Sequence, residues 1–490
     1  MPRSKRGTPS VLVWLRDDLR LDDNPALVAA LAEGRPLHLL YVLDEVSPGL
    51  RPLGAAARWW LHRSLAALGH EIERRGGRLL LRRGPAAIVV GAVLEETGAV
   101  SLHWNRRRGA APQAIDSTLK ADLTASGIAV QSHHADLLHE PSRFVTGSGS
   151  PYRVFTPFWR ALRATWPPRT PLPAPDRLPP PGEGEIAAGS DALADWKLLP
   201  TAPNWASGIA ASWTPGETGA AARLTAFLER GIYSYSLERD RPDLDLCSHL
   251  APHLRFGEIS VHRIVAALEA ARGGAAPPAE ENVEKFLAEL GWREFSHHQL
   301  ARSPDFAHHA VDRRFDRFPW IDDETTLRAW RRGRTGYPLV DAGMRELWAT
   351  GTMHNRVRMV VASFLVKHLL QDWRAGEAWF WDTLVDACPA ANPANWQWVA
   401  GSGADAAPYF RIFNPVTQGE KFDPLGDYVR RWVPELARLP KRWVHAPWTA
   451  PADVLAAAGV RLGETYPQPI VEHAKARARA LAAFAEMTSS

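Results

Sequence analysis

Short aliphatic and β-branched runs at residues 11–15, 37–43, 78–81, 100–104 and 128–131 alternate with stretches of helical periodicity through the first 133 residues. Such alternation predicts a βα repeat around a parallel sheet, here an α/β Rossmann-like domain over residues 8–134. The first turn, RDDLRLDDNP, offers Asp23 or Asn24 as a helix N-cap, with Pro25 at the first helical position, where its missing N–H costs nothing. No GxGxxG follows the opening strand. The glycine turn that cradles a dinucleotide pyrophosphate is therefore absent, and the layer reads as a scaffold.

Between residues 135 and 216 the periodicity fails. PPRTPLPAPDRLPPPGEGE is too rich in Pro and Gly to hold a regular element, so an interdomain linker is expected there, with one helix near residues 155–165. From Gly219 onward apolar positions recur every three to four residues. AARLTAFLERG ends in Gly231, placed as a C-cap, and residues 283–300 and 337–370 carry further helical faces. An all-α domain is expected over residues 217–485, and no repeat at solenoid periods is evident.

The net charge of +4 argues only weakly for an acidic partner, but Lys supplies just eight of the 58 basic residues and Arg the other 50. Arginine forks onto phosphates and stacks on bases, although an Arg- and Ala-biased genome gives the same composition. Cys247 and Cys388 lie far apart without ligand spacing, which excludes a disulfide framework and a metal site and fits a reducing cytoplasm. The N-terminus has no signal-peptide core, and no apolar run is long enough to span a bilayer, so a soluble, cytoplasmic chain is expected.

Of the 21 Trp, 12 lie between Trp292 and Trp448, denser than core filling requires. In ENVEKFLAELGWREFSHHQL the helical repeat puts Glu289, Trp292 and Arg293 on one face, as an amphipathic surface helix with an incidental ion pair also would. In MHNRVRM, Asn355, Arg358 and Met359 share a face, and Arg356 meets Met359 at three-residue spacing. A buried Arg is costly without a partner, so Arg358 calls for a carboxylate, and Asp386 is a candidate. On a helix Trp396 and Trp398 would point opposite ways, one inward and one to a groove; on a strand they would point together. An exposed Trp beside Arg356 would suit stacking on an unpaired base.

Taken in order, VWLRDDLRLDDNPAL, RDRPDLDLCSHLAPHLRFGEIS, ELGWREF, TGYPLVDAGMREL, MHNRVRM, LVDACPAANPANWQW and DAAPYFRIFNPVTQGEKFDP resemble the DNA photolyase and cryptochrome family over nearly the whole chain. MHNRVRM and WQW look most like the class I cyclobutane pyrimidine dimer photolyases; a (6-4) photolyase would carry His where Asn355 stands. The resemblance implies FAD, active as FADH⁻, held in a U-shape in the helical domain. It also implies a monomer acting on DNA that contains pyrimidine dimers, with the dimer flipped out of the duplex.

By the same resemblance, Tyr235 and the segment Cys247, Ser248, His249, Leu250 and Ala251 would cradle the FAD phosphates. Arg293, Ala387 and Cys388 would touch the cofactor, Arg358 and Asp386 would pair beside its ring, and Asn392 would bond to flavin N5. Glu289 would donate to the dimer as an acid kept protonated in a dry site. Trp292 and Trp398 would sandwich the dimer while Asn355, Arg356 and Met359 line the entrance. Trp396, Trp373 and Trp320, in that order outward, would relay electrons to the flavin.

Three departures stand out. Cys247, His249 and Ala251 replace the usual Thr, Arg and Ser of the phosphate cradle, which would weaken the hold on FAD. Cys388 stands where Asp is usual, beside Pro389. Ala111 and Pro112 replace the Asn-Glu pair of folate-binding members, which leaves a second antenna chromophore unassigned. The rival reading is a cryptochrome-like photoreceptor that binds FAD without repair; Glu289 and the short stretch after the last helix favour repair.

Overall fold

The structure is a computed structural model that describes residues 9–181 and 189–489. The expected domain start at residue 8 and the end of the Pro- and Gly-rich run, 182–188, lie outside the described residues. Five parallel strands, β1 (Ser10–Leu15), β2 (Leu37–Leu43), β3 (Leu79–Arg83), β4 (Ala99–Asn105) and β5 (Ala129–His133), form a sheet in the order β3-β2-β1-β4-β5. The crossovers are α1 (Pro25–Leu31), α2 (Ala55–Arg74), α3 (Ala86–Thr97) and α4 (Ala110–Ala125). Helices on both faces bury the central strands throughout, which is why β1 and β2 read as continuous apolar runs. Period-two alternation then divides the core. Val11, Val13 and Leu15 pack with α1 and α2, while Leu12 and Trp14 pack with α3.

The N-cap choice resolves to Asn24, whose Oδ1 accepts from Leu27 N–H at 3.1 Å. Asp23 is pulled aside to φ +49 and binds Arg169 through both carboxylate oxygens.

The chain continues through α5 (Phe155–Arg163), α6 (Ser207–Ser212), α7 (Glu217–Glu229), α8 (Tyr235–Glu238), α9 (Ala251–Arg255), α10 (Val261–Arg272), α11 (Glu280–Arg302) and α12 (Glu324–Arg331). It closes with α13 (Pro338–Thr350), α14 (Asn355–Ser363), α15 (Trp373–Thr383), α16 (Ala391–Ala400), α17 (Pro415–Phe422), α18 (Asp427–Trp432), α19 (Ala452–Ala458) and α20 (His473–Ser489). One local expectation is corrected and one is refined. Gly231 is no C-cap: α7 stops at Glu229, and Gly231 opens a short 3₁₀ turn without a left-handed φ. The apolar face over 337–370 is two helices, because Gly351 at φ +68 terminates α13, and α14 runs into a π-helical turn at Phe364–His368.

The largest apolar cluster centres on α13, α14, α15 and α16. The sheet's carboxyl edge meets this helical half through specific bonds. Trp60 Nε1 donates to Glu258 at 2.9 Å, Arg255 bonds Asp17 at 2.8 Å, and Arg51 forks onto Glu377 at 2.8 and 2.9 Å. Among the described residues no helix is long and apolar enough to cross a membrane, and no cluster of side chains could hold a metal ion.

Candidate cofactor and nucleic-acid site

A cavity of about 810 Å³ opens among α8, α9, α11, α14 and α16 and reaches the carboxyl edge of the sheet at Asp17, Asn105 and Arg107. That volume is within the roughly 300–1,000 Å³ of small-molecule and cofactor sites. Every residue expected to touch cofactor or lesion lines it; Trp320 and Trp373 do not.

On one side lies the segment Cys247–Ala251, between α8 and α9. Cys247 Sγ sits 3.7 Å from His354 Nε2, and burial pushes its thiol up to about 11. His249 adopts φ +52 and bonds Asp245 at 2.6 Å, with its ring edge-on to Trp213. Ser248 and the buried Leu250 complete the turn into α9, which begins at Ala251. Tyr235 is buried beneath the Arg239 guanidinium, and burial pushes its phenol up.

Deeper in, Arg358 Nη2 donates to Asp386 Oδ2 at 2.9 Å and to Thr352 Oγ1 at 3.2 Å, while its Nε donates to Met353 O at 2.7 Å. Asp386 Oδ1 is buried without a partner. Both N–H groups of the Asn392 amide go to Glu377, to its carbonyl at 3.0 Å and its Oε1 at 2.8 Å. A flipped amide would lose both bonds, so Oδ1 is left as the free acceptor. Cys388 Sγ accepts from Ala390 N–H at 3.4 Å and lies 3.7 Å from His297 Nε2. Ala387 contributes its carbonyl to Arg255 at 2.7 Å. Arg293 donates to Asp136 O at 2.9 Å beside Glu294, whose carboxyl burial pushes up to about 8.

The mouth differs from expectation in one respect. Glu289 is not in a dry pocket: it pairs with Arg239 at 2.8 Å and Lys285 at 3.4 Å, and its side chain is 28% exposed. Trp292 has only one face to offer, because Phe155 stacks on the other at 3.7 Å between centroids. Trp398 lies half-buried on the cavity wall, while Trp396, two residues earlier on α16, is 2% exposed, so the helical alternative holds. Arg356 pairs with Asp240, lies 4.4 Å over the Phe422 ring and approaches Met359 Sδ at 3.9 Å. Asn355 is exposed at the start of α14, capped by His354, which burial lowers to about 4 so that its ring can accept from Arg356 N–H.

Trp396, Trp373 and Trp320 pack in one apolar cluster, and only Trp396 reaches the cavity. Gly376 on α15 makes room for Trp396: a Cβ there would fall 2.1 Å from its Cη2. The indole N–H groups of Trp373 and Trp320 are buried without partners. Sequence reasoning missed Arg239, Asp240, Phe155 and His354. The acidic and basic alternation of RDRPDLDL was the available signal for the first two.

Residues 11–176 match the family described as DNA photolyase, and residues 286–486 match the FAD binding domain of DNA photolyase. A deoxyribodipyrimidine photo-lyase of Agrobacterium fabrum is 52% identical over 98% of each chain. Cryptochrome-1 of Arabidopsis thaliana is 40% identical over 97% of this chain and 70% of that one. The crystal structure of a bacterial class III photolyase from Agrobacterium tumefaciens superposes with a TM-score of 0.95 at 51% identity, covering 100% of this chain and 99% of the other. The chain belongs to the DNA photolyase and cryptochrome family. The expected likeness to class I is corrected by that class III structure. All of WQW and all of MHNRVRM except Val357 line the cavity itself, so they report the chemistry of the site rather than the class.

Proposed function

We propose that this protein repairs cyclobutane pyrimidine dimers in DNA under light, as a photolyase of the class III type. The observation that carries the reading is the single cavity that joins a charged, buried inner end to an indole-lined mouth. The inner end fits FAD: the unpartnered Asp386 Oδ1 and the free Asn392 Oδ1 are acceptors suited to a ring that carries N–H groups. Tyr235 and the segment Cys247–Ala251 would hold the phosphates, and Arg358 with Asp386 would orient the ring. When bound and reduced, FAD would supply one electron on light absorption and take it back after the dimer splits.

The chain's own part is positioning. Trp292 and Trp398 offer indole faces to a flipped dimer, and Arg356 steadies the strand beside them. Glu289 and Arg239 set an acceptor and donors together at the mouth. Trp396, Trp373 and Trp320 would carry electrons in from outside when the flavin is oxidised. The test is loss of thymine dimers from oligonucleotides under blue light and not in the dark. Glu289→Ala should slow repair by about tenfold or more, the scale of one lost hydrogen bond to a charged group at about 1.5–3 kcal/mol, with FAD content unchanged. Equal repair by variant and wild type would remove Glu289 from the mechanism. The likeness to cryptochrome-1 keeps one rival, a photoreceptor, which a flavin that photoreduces while dimers persist would favour.

A further inference from the structure

α5, the one helix expected within the linker, builds the back of the lesion side. Phe155, its first residue, stacks on Trp292 with planes 6° apart, and Trp159 one turn on continues the stack at 6.2 Å and 8°. Phe295 closes the group edge-on against Phe155 and Trp292, at 5.9 Å from each. Trp292 lines the cavity, whereas Phe155 is buried behind it. The two faces of the indole are therefore assigned, the rear to Phe155 and the front to whatever enters.

Two features hold α5 in this place. Gly291, the neighbour of Trp292 on α11, lies so close that a Cβ there would fall 2.5 Å from the Trp159 ring. The free N-terminus of α5 is capped from afar, because Asp405 Oδ2 accepts the Phe155 N–H at 3.0 Å. The loop bearing Asp405 also brings Gly403 and Ala404 to the cavity wall.

Resting on the reading of this cavity as the seat of a flipped dimer, we propose that Phe155 is a positioning residue for the lesion. It fixes the plane of Trp292, so that an entering pyrimidine extends a stack the linker helix has already begun. An indole locked before binding gives up less rotamer freedom when the base arrives. Undamaged bases stay in the duplex and gain nothing from it, so Phe155 acts on selectivity for damage.

The experiment is equilibrium binding of the FAD-loaded protein to one oligonucleotide with and without a thymine dimer, at fixed salt, for wild type, Phe155→Ala, Phe155→Leu and Phe155→Tyr. Phe155→Ala should lose about three- to tenfold in affinity for the dimer, the scale of an aromatic pair. Its affinity for undamaged DNA should stay within about twofold, as phosphate contacts dominate there. Tyr should restore the preference and Leu should not, since bulk without a flat ring cannot stack. If the Ala variant fails to retain FAD, the comparison of Leu with Tyr decides alone. Leu performing as well as Tyr, an Ala variant with the wild-type preference, or equal losses on both DNAs would each overturn the proposal. A wild type without any preference would instead overturn the functional reading, and this inference with it.

Discussion

Replacing Gly376 with Ala puts a methyl group where Trp396 stands. A Cβ at this position of α15 falls 2.1 Å from Trp396 Cη2, 2.4 Å from Cζ3 and 2.7 Å from Leu365 Cδ2, against about 3.5–4.0 Å for an unstrained carbon contact. Trp396 is fenced by Phe380 at 5.0 Å and Trp330 at 6.2 Å, so either the indole moves by about 1.5 Å to regain normal contact or α15 retreats. Overpacking of this kind costs about 1–3 kcal/mol, and Ala in a helix interior returns about 1 kcal/mol. The net loss is about 0–2 kcal/mol. With an unfolding entropy of about 2.1 cal/mol/K per residue, the 490 residues lose about 1 °C of Tm per kcal/mol. If Trp396 is the first relay indole, as proposed, photoreduction of bound flavin with an external donor should slow, because the ring has shifted. The decisive assay is the double-mutant cycle with Trp396→Phe, whose smaller ring lacks the clashing atoms. There Gly376→Ala should become neutral or stabilising by up to about 1 kcal/mol, a coupling within the roughly 0.5–3 kcal/mol of contacting pairs. Additive stabilities, or a Gly376→Ala variant with wild-type Tm and photoreduction, would refute the packing on which the relay argument rests.

Trp320→Phe should abolish photoreduction while chemically pre-reduced protein repairs dimers as well as wild type; normal photoreduction would make Trp320 a core residue, and lost repair would point to misfolding. Arg356→Ala should weaken binding to dimer-containing DNA more than to undamaged DNA, and an equal loss would reassign Arg356 to phosphate contact. Glu294, raised by burial from 4.5 to about 8, contributes stability that is fully present below pH 4.5 and lost as the pH rises through 8. Measured as Tm against pH, Glu294→Gln should therefore gain on wild type across that window, and a constant difference would contradict the assignment.

The α/β layer was legible because β1 and β2 are apolar on both faces and the turn at Asn24 and Pro25 carries its own capping chemistry. The pairing of Arg358 with Asp386 was legible too, since a guanidinium on an otherwise apolar helix calls for a carboxylate and few stand near in the motif, although Arg358 proves only half-buried. The Glu289–Arg239 pair was not, because it joins α11 to the turn after α8 through tertiary packing that no local periodicity encodes. The same is true of Phe155, whose segment is composed like a connector while its ring backs the site. The 337–370 run did not show where α13 ends, because apolar spacing continues past Gly351, whose left-handed φ breaks the helix but not the buried face.

Arg51, in the segment before α2, forks onto Glu377 and lies over Trp381, and Glu377 in turn holds the Asn392 amide. The family descriptions divide the chain into two stretches, but this bridge crosses the division. A helical half made alone would keep a buried carboxylate without its guanidinium, and the Asn392 amide would hang from a loosened anchor. Any exchange of halves between relatives must therefore carry positions 51, 377 and 392 as one inherited set, which makes the scaffold layer a co-owner of the cofactor site.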